Sequence, residues 1–500
     1  MQWAALNNRV GAASALLAAG AAVEGVDGQG QSALHWAAVR GAVPAAELLL
    51  RAGAKLERAD SRGYTPTHVA AQYGNTAVLY HFAVRWGADM ECLDSDGRSA
   101  LHWAAYKGFP DAMRLLLVLE GDMLRADREG CTPLHWAAIK GNAEALYLLA
   151  QAGGPAALTA VDATGSTPAQ LATEKGHGLL AAYLAQQEVQ GRRRKSLLAT
   201  RGLSLATAAG ITALLILFTN AAVLCPALPP PSLAARVGLY AVLLCACAGL
   251  GAMYRCATRD PGVLLTGLEG RGGGSAAQRL DLPVMWAGNW AALCVTCKLV
   301  RPLGAKHCAV LNRCVARFDH FCPWVGATVG KRNHPAFLTF LLLESAALLI
   351  SLAVAAARVA AAPMPLLDLL SAAPALAVFL GVDAAVALPV LLLTIAQVTQ
   401  VARNITTNEL ANMHRYPYLR TREGKFTNPF DHGCSRNLRA FCLTPPEQRD
   451  REVEYGEGAS IPLLEAELTQ LLSGGRAAAT AVVLPGECKT GCKHGEAHEH

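Results

Sequence analysis

Along the first third of the chain, apolar positions recur in short helical stripes at a fixed spacing. Gln31 opens QSALHWAAVRG, Tyr64 opens YTPTHVAAQYG, Arg98 opens RSALHWAAYKG and Cys131 opens CTPLHWAAIKG. Their histidines, His35, His68, His102 and His135, stand 33, 34 and 33 residues apart, and a worn fifth copy, STPAQLATEKG, begins at Ser166. Copies in phase at this period predict a solenoid of helix pairs. No single unit can bury its own apolar face, so neighbours must stack. Leu48-Leu49-Leu50 and Leu115-Leu116-Leu117 give two second helices their buried stripe. Gly41, Gly74, Gly108 and Gly141 stand where the first helix ends and a left-handed residue is wanted. Residues 1–30 read as a shortened copy, with Trp3-Ala4-Ala5 aligned on Trp36-Ala37-Ala38, so the chain starts inside a repeat.

The pattern then changes from amphipathic stripes to unbroken apolar runs. Arg192-Arg193-Arg194-Lys195 precedes four of them, at roughly 203–225, 233–254, 336–357 and 375–398. Each is close to the ~20 residues needed to cross a bilayer as a helix. The connection after the first run, Cys225-Pro-Ala-Leu-Pro-Pro-Pro, is a tight far-side turn without Lys or Arg until Arg236. The far-side loop near 358–368 is also poor in charge, whereas the segment between the second and third runs is rich in it. Four spans then place both termini and that middle segment in the cytosol. No signal peptide is read at the start. The expected division is repeats over 1–190, a basic linker over 191–202, two spans over 203–254, a cytosolic loop over 255–335, two spans over 336–400, a cytosolic motif region over 401–445 and a disordered tail over 446–500.

Composition agrees with a membrane protein. Of 500 residues, 53% are hydrophobic and 16% charged, and mean hydropathy is +0.27. Disorder over most of the length is excluded by that balance. The net charge of +6 is too mild to argue for nucleic acid as a partner. Fifteen cysteines are too dilute for a secreted disulfide framework. The Gly-rich stretch 270–275 reads as a flexible connection. Cys488, Cys492, His494, His498 and His500 read as part of a solvated tail rather than a metal fold.

The cysteines matter where they cluster. The loop from Leu293 to Gly330 reads LCVTCKLVRPLGAKHCAVLNRCVARFDHFCPWVGATVG. Cys294 and Cys297 form a C-x2-C pair, followed by His307 and Cys314. In a reducing compartment this density reads as zinc rather than disulfide. These four make one complete tetrahedral set, which folds a loop too small for a core of its own. The alternative is a scatter of buried cysteines.

These residues carry a resemblance. The repeats match the ankyrin pattern T-P-L-H-x-A, and the loop resembles the cysteine-rich domain of the DHHC-type protein S-acyltransferases (palmitoyltransferases), in their ankyrin-containing branch. Asp260-Pro261-Gly262, Thr406-Thr407-Asn408-Glu409, and Asn428-Pro429-Phe430-Asp431 with Gly433, Cys434 and Asn437 resemble further motifs of that family. The implied fold class is all-α: an ankyrin-repeat solenoid followed by a four-helix transmembrane bundle with a small cytosolic zinc-binding cysteine-rich domain over 293–330. The signature departs from Asp-His-His-Cys, reading Asp319-His320-Phe321-Cys322. The family holds two zinc ions. Its first set maps onto Cys294, Cys297, His307 and Cys314. Its second falls on Cys308, Leu311, Phe321 and Thr328, of which only Cys308 can ligate, so one zinc is expected.

The resemblance implies S-acyl transfer in two steps. Cys322 would be the nucleophile that takes palmitoyl from palmitoyl-CoA, His320 the general base and Asp319 the group that orients it, the three held together by one tight turn; Thr407 would support Asp319. Lys298, Arg301, Arg313, Arg317, Lys331 and Arg332 would meet the CoA phosphates; the alternative is ordinary cytosolic-side charge. Asn437 would brace the tail. The array would recruit client proteins with acceptor cysteines, with Trp36, Trp103 and Trp136 as an aromatic stripe for an extended peptide; the alternative is that they pack between repeats. The motif histidines are expected to bond between repeats. The implied residence is the lipid bilayer of the Golgi, or of the endoplasmic reticulum. Two rivals are a catalytically silent membrane adaptor of the same fold and an ankyrin-bearing ion channel, which would need more spans and a pore loop.

Overall fold

The structure, a computed structural model, describes residues 1–119, 121–193, 197–265, 280, 283–421 and 423–445, with the side chains of 190–201, 283 and 284 excepted. Arg194 and Lys195 of the basic run, the Gly-rich stretch 270–275 and the tail cluster Cys488, Cys492, His494, His498 and His500 lie outside the described residues.

The repeats are stacked helix pairs, including the shortened first copy with helices at Gln2–Leu6 and Val10–Ala18. In each full copy the motif histidine does two jobs. The backbone N–H of Ser32, Thr65, Ser99 or Thr132 donates to its Nδ1 at the helix start. Its Nε2 then donates to the next copy: His35 to the Tyr64 carbonyl at 2.9 Å, His68 to Arg98 at 3.1 Å, His102 to Cys131 and His135 to Ser166 at 3.2 Å. The sequence expectation for these residues matches this geometry. Gly41, Gly74, Gly108 and Gly141 have φ of 76°, 69°, 78° and 70°, which ordinary residues avoid.

Burial pushes all four imidazoles below their usual pKa, against the weaker pull of neighbouring carbonyls and carboxylates. The unfolded chain therefore binds protons that the folded array refuses. Their contribution to stability is present above pH 6.5 and is lost as pH falls below it. Each such histidine gives a limiting slope of about 1.4 kcal/mol per pH unit. Array amides are expected to exchange faster at pH 5.5 than at pH 7.5, beyond the intrinsic pH dependence of exchange; hydrogen exchange on the full chain measures this.

Four helices among the described residues are long and apolar enough to cross a membrane: Gly202–Val223, Leu233–Thr258, His334–Ala360 and Pro374–Ala402. The first stops at Val223, short of the expected 225, whereas the other three run a few residues past their apolar runs, the third starting at the polar His334 with Asn333 as its cap. The second and third spans approach closely where glycines face them: a Cβ on Gly238 would strike Val354, and one on Gly249 would strike the Glu344 carboxyl. The third and fourth are tied by Ser345 to Thr394 at 2.8 Å and Ser351 to Asp383 at 3.2 Å.

Between the second and third spans the loop forms three two-stranded antiparallel hairpins, β1–β2 (Leu293–Cys294 with Leu299–Val300), β3–β4 (Lys306–Cys308 with Arg313–Val315) and β5–β6 (His320–Cys322 with Ala327–Val329). Strand pairs of two or three residues cannot bury a core, so other forces must hold them. One is the repeat array itself. Tyr80, on the repeat helix Thr76–Trp86, donates to the Leu280 carbonyl at 2.7 Å. Its ring lies 4.7 Å from Trp286 and 5.2 Å from Trp290. Leu293 and Val300 of β1–β2 join the same apolar cluster.

Candidate active site and metal centre

Strand β5 sets the first constellation. Side chains alternate along a strand, so His320 and Cys322 share one face and Phe321 takes the other. The expectation of one tight turn is corrected here: strand alternation brings the two groups together. His320 has the Cys322 side chain as an electrostatic neighbour. Its Nδ1 lies 2.6 Å from Asp319 Oδ2. A carboxylate cannot donate, so Nδ1 carries the proton and Nε2 is the nitrogen left for sulfur.

Asp319 is only 1% exposed. The Thr407 backbone N–H donates to its Oδ1 at 2.7 Å and the Thr407 hydroxyl reaches Oδ2 at 2.9 Å. Burial alone would raise this carboxyl, but the hydrogen bonds and the adjacent imidazole charge hold it well below the usual carboxylate range. The same balance runs the other way at His320. Burial would lower it, yet Asp319 and Cys322 together raise it to about 9. Asp319 thus strengthens the hold of His320 on a proton.

Cys322 is 5% exposed and belongs to an apolar cluster with Ala252, Met253 and Cys256 of the second span, Phe337, Phe340 and Leu341 of the third, and Val325 and Val329. Asn333 stitches hairpin to bundle: its Nδ2 donates to the Cys256 carbonyl at 3.0 Å and the Thr328 carbonyl at 2.8 Å. The Cys322 thiol is therefore fixed where polar loop meets apolar helix ends.

The second constellation joins β1–β2 to β3–β4. One ligand atom each from Cys294, Cys297, His307 and Cys314 lies within 4.8 Å of the others. His307 Nδ1 is 3.3 Å from Cys297 Sγ, 3.6 Å from Cys294 Sγ and 4.0 Å from Cys314 Sγ. Zinc–sulfur and zinc–nitrogen bonds of about 2.3 and 2.0 Å set tetrahedral edges of about 3.5–3.8 Å, so the donor set fits zinc. Around Cys308 the picture differs. Its Sγ meets the Thr328 hydroxyl at 3.2 Å, and Thr328 pairs across the hairpin with Phe321. Among the described residues the first set is the one Cys/His cluster that could hold a metal.

Other sequence candidates have partners already. Trp36, Trp103 and Trp136 each donate Nε1–H to a loop aspartate of their own repeat, Asp27, Asp94 and Asp127, at 2.9, 2.9 and 2.8 Å. The Arg98 guanidinium lies over both Trp103 and Trp136, and Tyr106 stands between the two rings. Trp36 stands outside this ladder. Of the six basic residues, Arg301 donates to the Ala291 and Ala292 carbonyls, Arg317 to Asn404 and Arg332 to Asp260. Asn437 donates to the Ala402 carbonyl at 2.8 Å, anchoring the helix Cys434–Leu443 to the fourth span.

Comparison with known proteins bears on the same regions. A model described as DHHC palmitoyltransferase matches residues 289–414, and ankyrin repeats in three copies match 1–83, 67–162 and 120–196. "Probable protein S-acyltransferase 23" of Arabidopsis thaliana is 40% identical over 407 residues, covering 77% of this chain and 74% of the relative. "Palmitoyltransferase ZDHHC12" of Mus musculus is 38% identical over 170 residues, 33% of this chain and 62% of the relative. "Palmitoyltransferase ZDHHC17" of Danio rerio is 31% identical over 193 residues, 36% of this chain and 30% of the relative.

Proposed function

Since the chain belongs to the DHHC protein S-acyltransferase family, in its ankyrin-bearing form, we propose that it moves palmitoyl from palmitoyl-CoA to cysteines of client proteins by way of Cys322. The observation that carries this is the aligned Asp319, His320 and Cys322 on one hairpin, facing the apolar ends of the second and third spans. The protein is a multi-pass membrane palmitoyltransferase.

In the first step the Cys322 thiol gives its proton to His320 Nε2 and the sulfur attacks the thioester carbonyl carbon. The bond from that carbon to the CoA sulfur breaks, and the departing sulfur takes the proton from His320. In the second step a client thiol gives its proton to His320 and attacks the acyl carbon. The bond to Cys322 breaks and Cys322 recovers the proton. Asp319 keeps His320 in the tautomer that presents Nε2, with Thr407 holding Asp319. The acyl chain enters the apolar cluster around Cys322, and CoA stays on the watery side. There Lys298, Arg301, Arg313, Arg317, Lys331 and Arg332 are the basic residues that would meet the CoA phosphates.

Cys294, Cys297, His307 and Cys314 hold one zinc, whose part is to fix the fold of the hairpins. The array recruits clients, with Trp103 and Trp136 as the aromatic centre of that face and Trp36 beside it. Both termini face the cytosol, and the Golgi is the membrane we assign.

Purified full-length protein given palmitoyl-CoA and a cysteine peptide is expected to release CoA and yield acylated peptide. Asp319→Asn, which leaves the shape but disturbs the tautomer, should slow both by about 10²–10⁴. A wild-type protein that neither releases CoA nor acylates peptide would leave the silent adaptor as the reading.

A further inference from the structure

The fourth span carries a glutamine where lipid-facing or packing residues would be apolar. Gln397 is 2% exposed and lies five residues before the helix ends at Ala402. A polar side chain at that depth is costly unless every hydrogen-bonding group has a partner. Gln397 has them, and they lead to the reacting groups. Its Nε2 donates to the Thr407 hydroxyl at 2.9 Å and stands 3.4 Å from Asp319 Oδ2. Its Oε1 lies 2.9 Å from His334 Nε2, at the start of the third span.

The roles of these atoms are forced. The Gln397 amide nitrogen faces three acceptors, Thr407 Oγ1, Asp319 Oδ2 and Gln400 Oε1 at 3.3 Å, so the oxygen must face His334, and His334 must present Nε2–H to it. His334 is itself buried, and its ring packs edge-on against Phe441 of the helix Cys434–Leu443 at 5.2 Å. With its hydroxyl oxygen occupied by the Gln397 amide, Thr407 turns its own proton outward to Asp319 Oδ2 at 2.9 Å or Gln400 Oε1 at 2.8 Å. One side chain thus links the third span, the fourth span, the Thr406–Glu409 turn and the carboxylate of the hairpin.

We propose that Gln397, held in orientation by His334, is a positioning residue of the acyl transfer: through Thr407 it fixes Asp319 so that His320 can accept the Cys322 proton. The inference rests on the palmitoyltransferase reading and adds to it a residue that touches neither substrate nor sulfur. The titratable and charged groups around this cluster are Asp319, His320, Cys322, His334 and Arg317.

The test is the rate at which full-length protein in detergent is loaded with acyl from palmitoyl-CoA in a single turnover, from pH 6 to pH 9. Gln397→Met keeps the volume and removes all of its side-chain hydrogen bonds. Loading at pH 7 is expected to fall about tenfold or more, and the deficit to shrink towards about twofold at pH 9, where hydroxide replaces a poorly held His320. A loss of packing alone would slow loading equally at every pH. Either that flat deficit or a wild-type rate would overturn the proposal. Gln397→Glu covers the case in which methionine does not fold there. It keeps an acceptor for His334 but no donor for Thr407, and should also load at least about fivefold more slowly at pH 7; a wild-type rate would again overturn the proposal. Cys322→Ser serves as control. If wild type loads, Cys322→Ser does not and the Gln397 variants behave as wild type, this inference alone fails. If wild type does not load, the functional reading fails and takes the inference with it.

Discussion

Cys322→Ser is expected to abolish hydroxylamine-labile fatty-acyl label on the chain. In cells fed a clickable palmitate analogue, purified wild type should carry label that neutral hydroxylamine releases. The serine variant should carry at least about 10³-fold less of it in a single-turnover assay. A thiolate attacks a thioester readily at neutral pH, and the product is another thioester of similar energy. A serine hydroxyl is a far weaker acid, so the imidazole beside it would have to work alone, and any ester formed would resist neutral hydroxylamine. The geometry makes the loss specific. Cys322 stands two residues from His320 on one strand face, and His320 is tied to Asp319 at 2.6 Å. Cys256 shares the apolar cluster and is fully buried, and among the described residues no hydrogen-bond partner is placed on its sulfur. Equal label on wild type and Cys322→Ser, carried by other cysteines, would favour the silent adaptor.

How much of this was readable in the sequence depended on whether a feature was local. The repeats were fully readable, because His35, His68, His102 and His135 recur in phase and each fixes its neighbour by the same bond. The Cys/His cluster was readable for the same reason: Cys294, Cys297, His307 and Cys314 are close in sequence and of unambiguous type. The spacing of His320 and Cys322 was visible, but its cause was misread as a turn, since three-residue strands leave no periodicity to detect. The tryptophans looked like an open stripe; the structure ties each indole N–H to an aspartate nine residues earlier. That aspartate reads in the sequence as an ordinary turn residue. Gln397 was hidden altogether. Within Pro374–Ala402 it is one of five polar letters, with Asp383, Thr394, Thr399 and Gln400, in a largely apolar run. Its meaning depends on Asp319 and Thr407, which only folding brings to it. The docking of Tyr80 on Trp286 and Trp290 was hidden likewise, because it joins segments about 200 residues apart in the chain.

Removing the metal should undo the site without touching its reacting groups. Cys297→Ser, or a strong chelator, is expected to strip zinc from the chain and to end acyl loading although Asp319, His320 and Cys322 are intact. Three sulfurs and an imidazole nitrogen face one another within 4.8 Å, mostly buried. Without a cation, thiolates at that spacing repel, and neutral thiols fill the space with weak hydrogen bonds. The hairpins supply little in return, since each has only two or three residue pairs. Structural zinc sites of this kind contribute apparent free energies on the order of 10 kcal/mol, which exceeds anything else available to a loop of this size. The effect should travel. His307 pairs with Cys314 across β3–β4, and only Ala316, Arg317 and Phe318 separate that hairpin from Asp319. In the other direction, Leu293 and Val300 of β1–β2 lie in the cluster that joins the hairpins to the repeats. Metal analysis of wild type should give about one zinc per chain, and Cys297→Ser about none. Cys308→Ser is the contrast: its sulfur meets only the Thr328 hydroxyl among described partners, so zinc content and loading should stay near wild type. Two zinc ions per chain, or loss of zinc on Cys308→Ser, would mean that Cys308 serves a second site after all. Full loading by metal-free Cys297→Ser would break the link between the hairpins' fold and the placement of the sulfur.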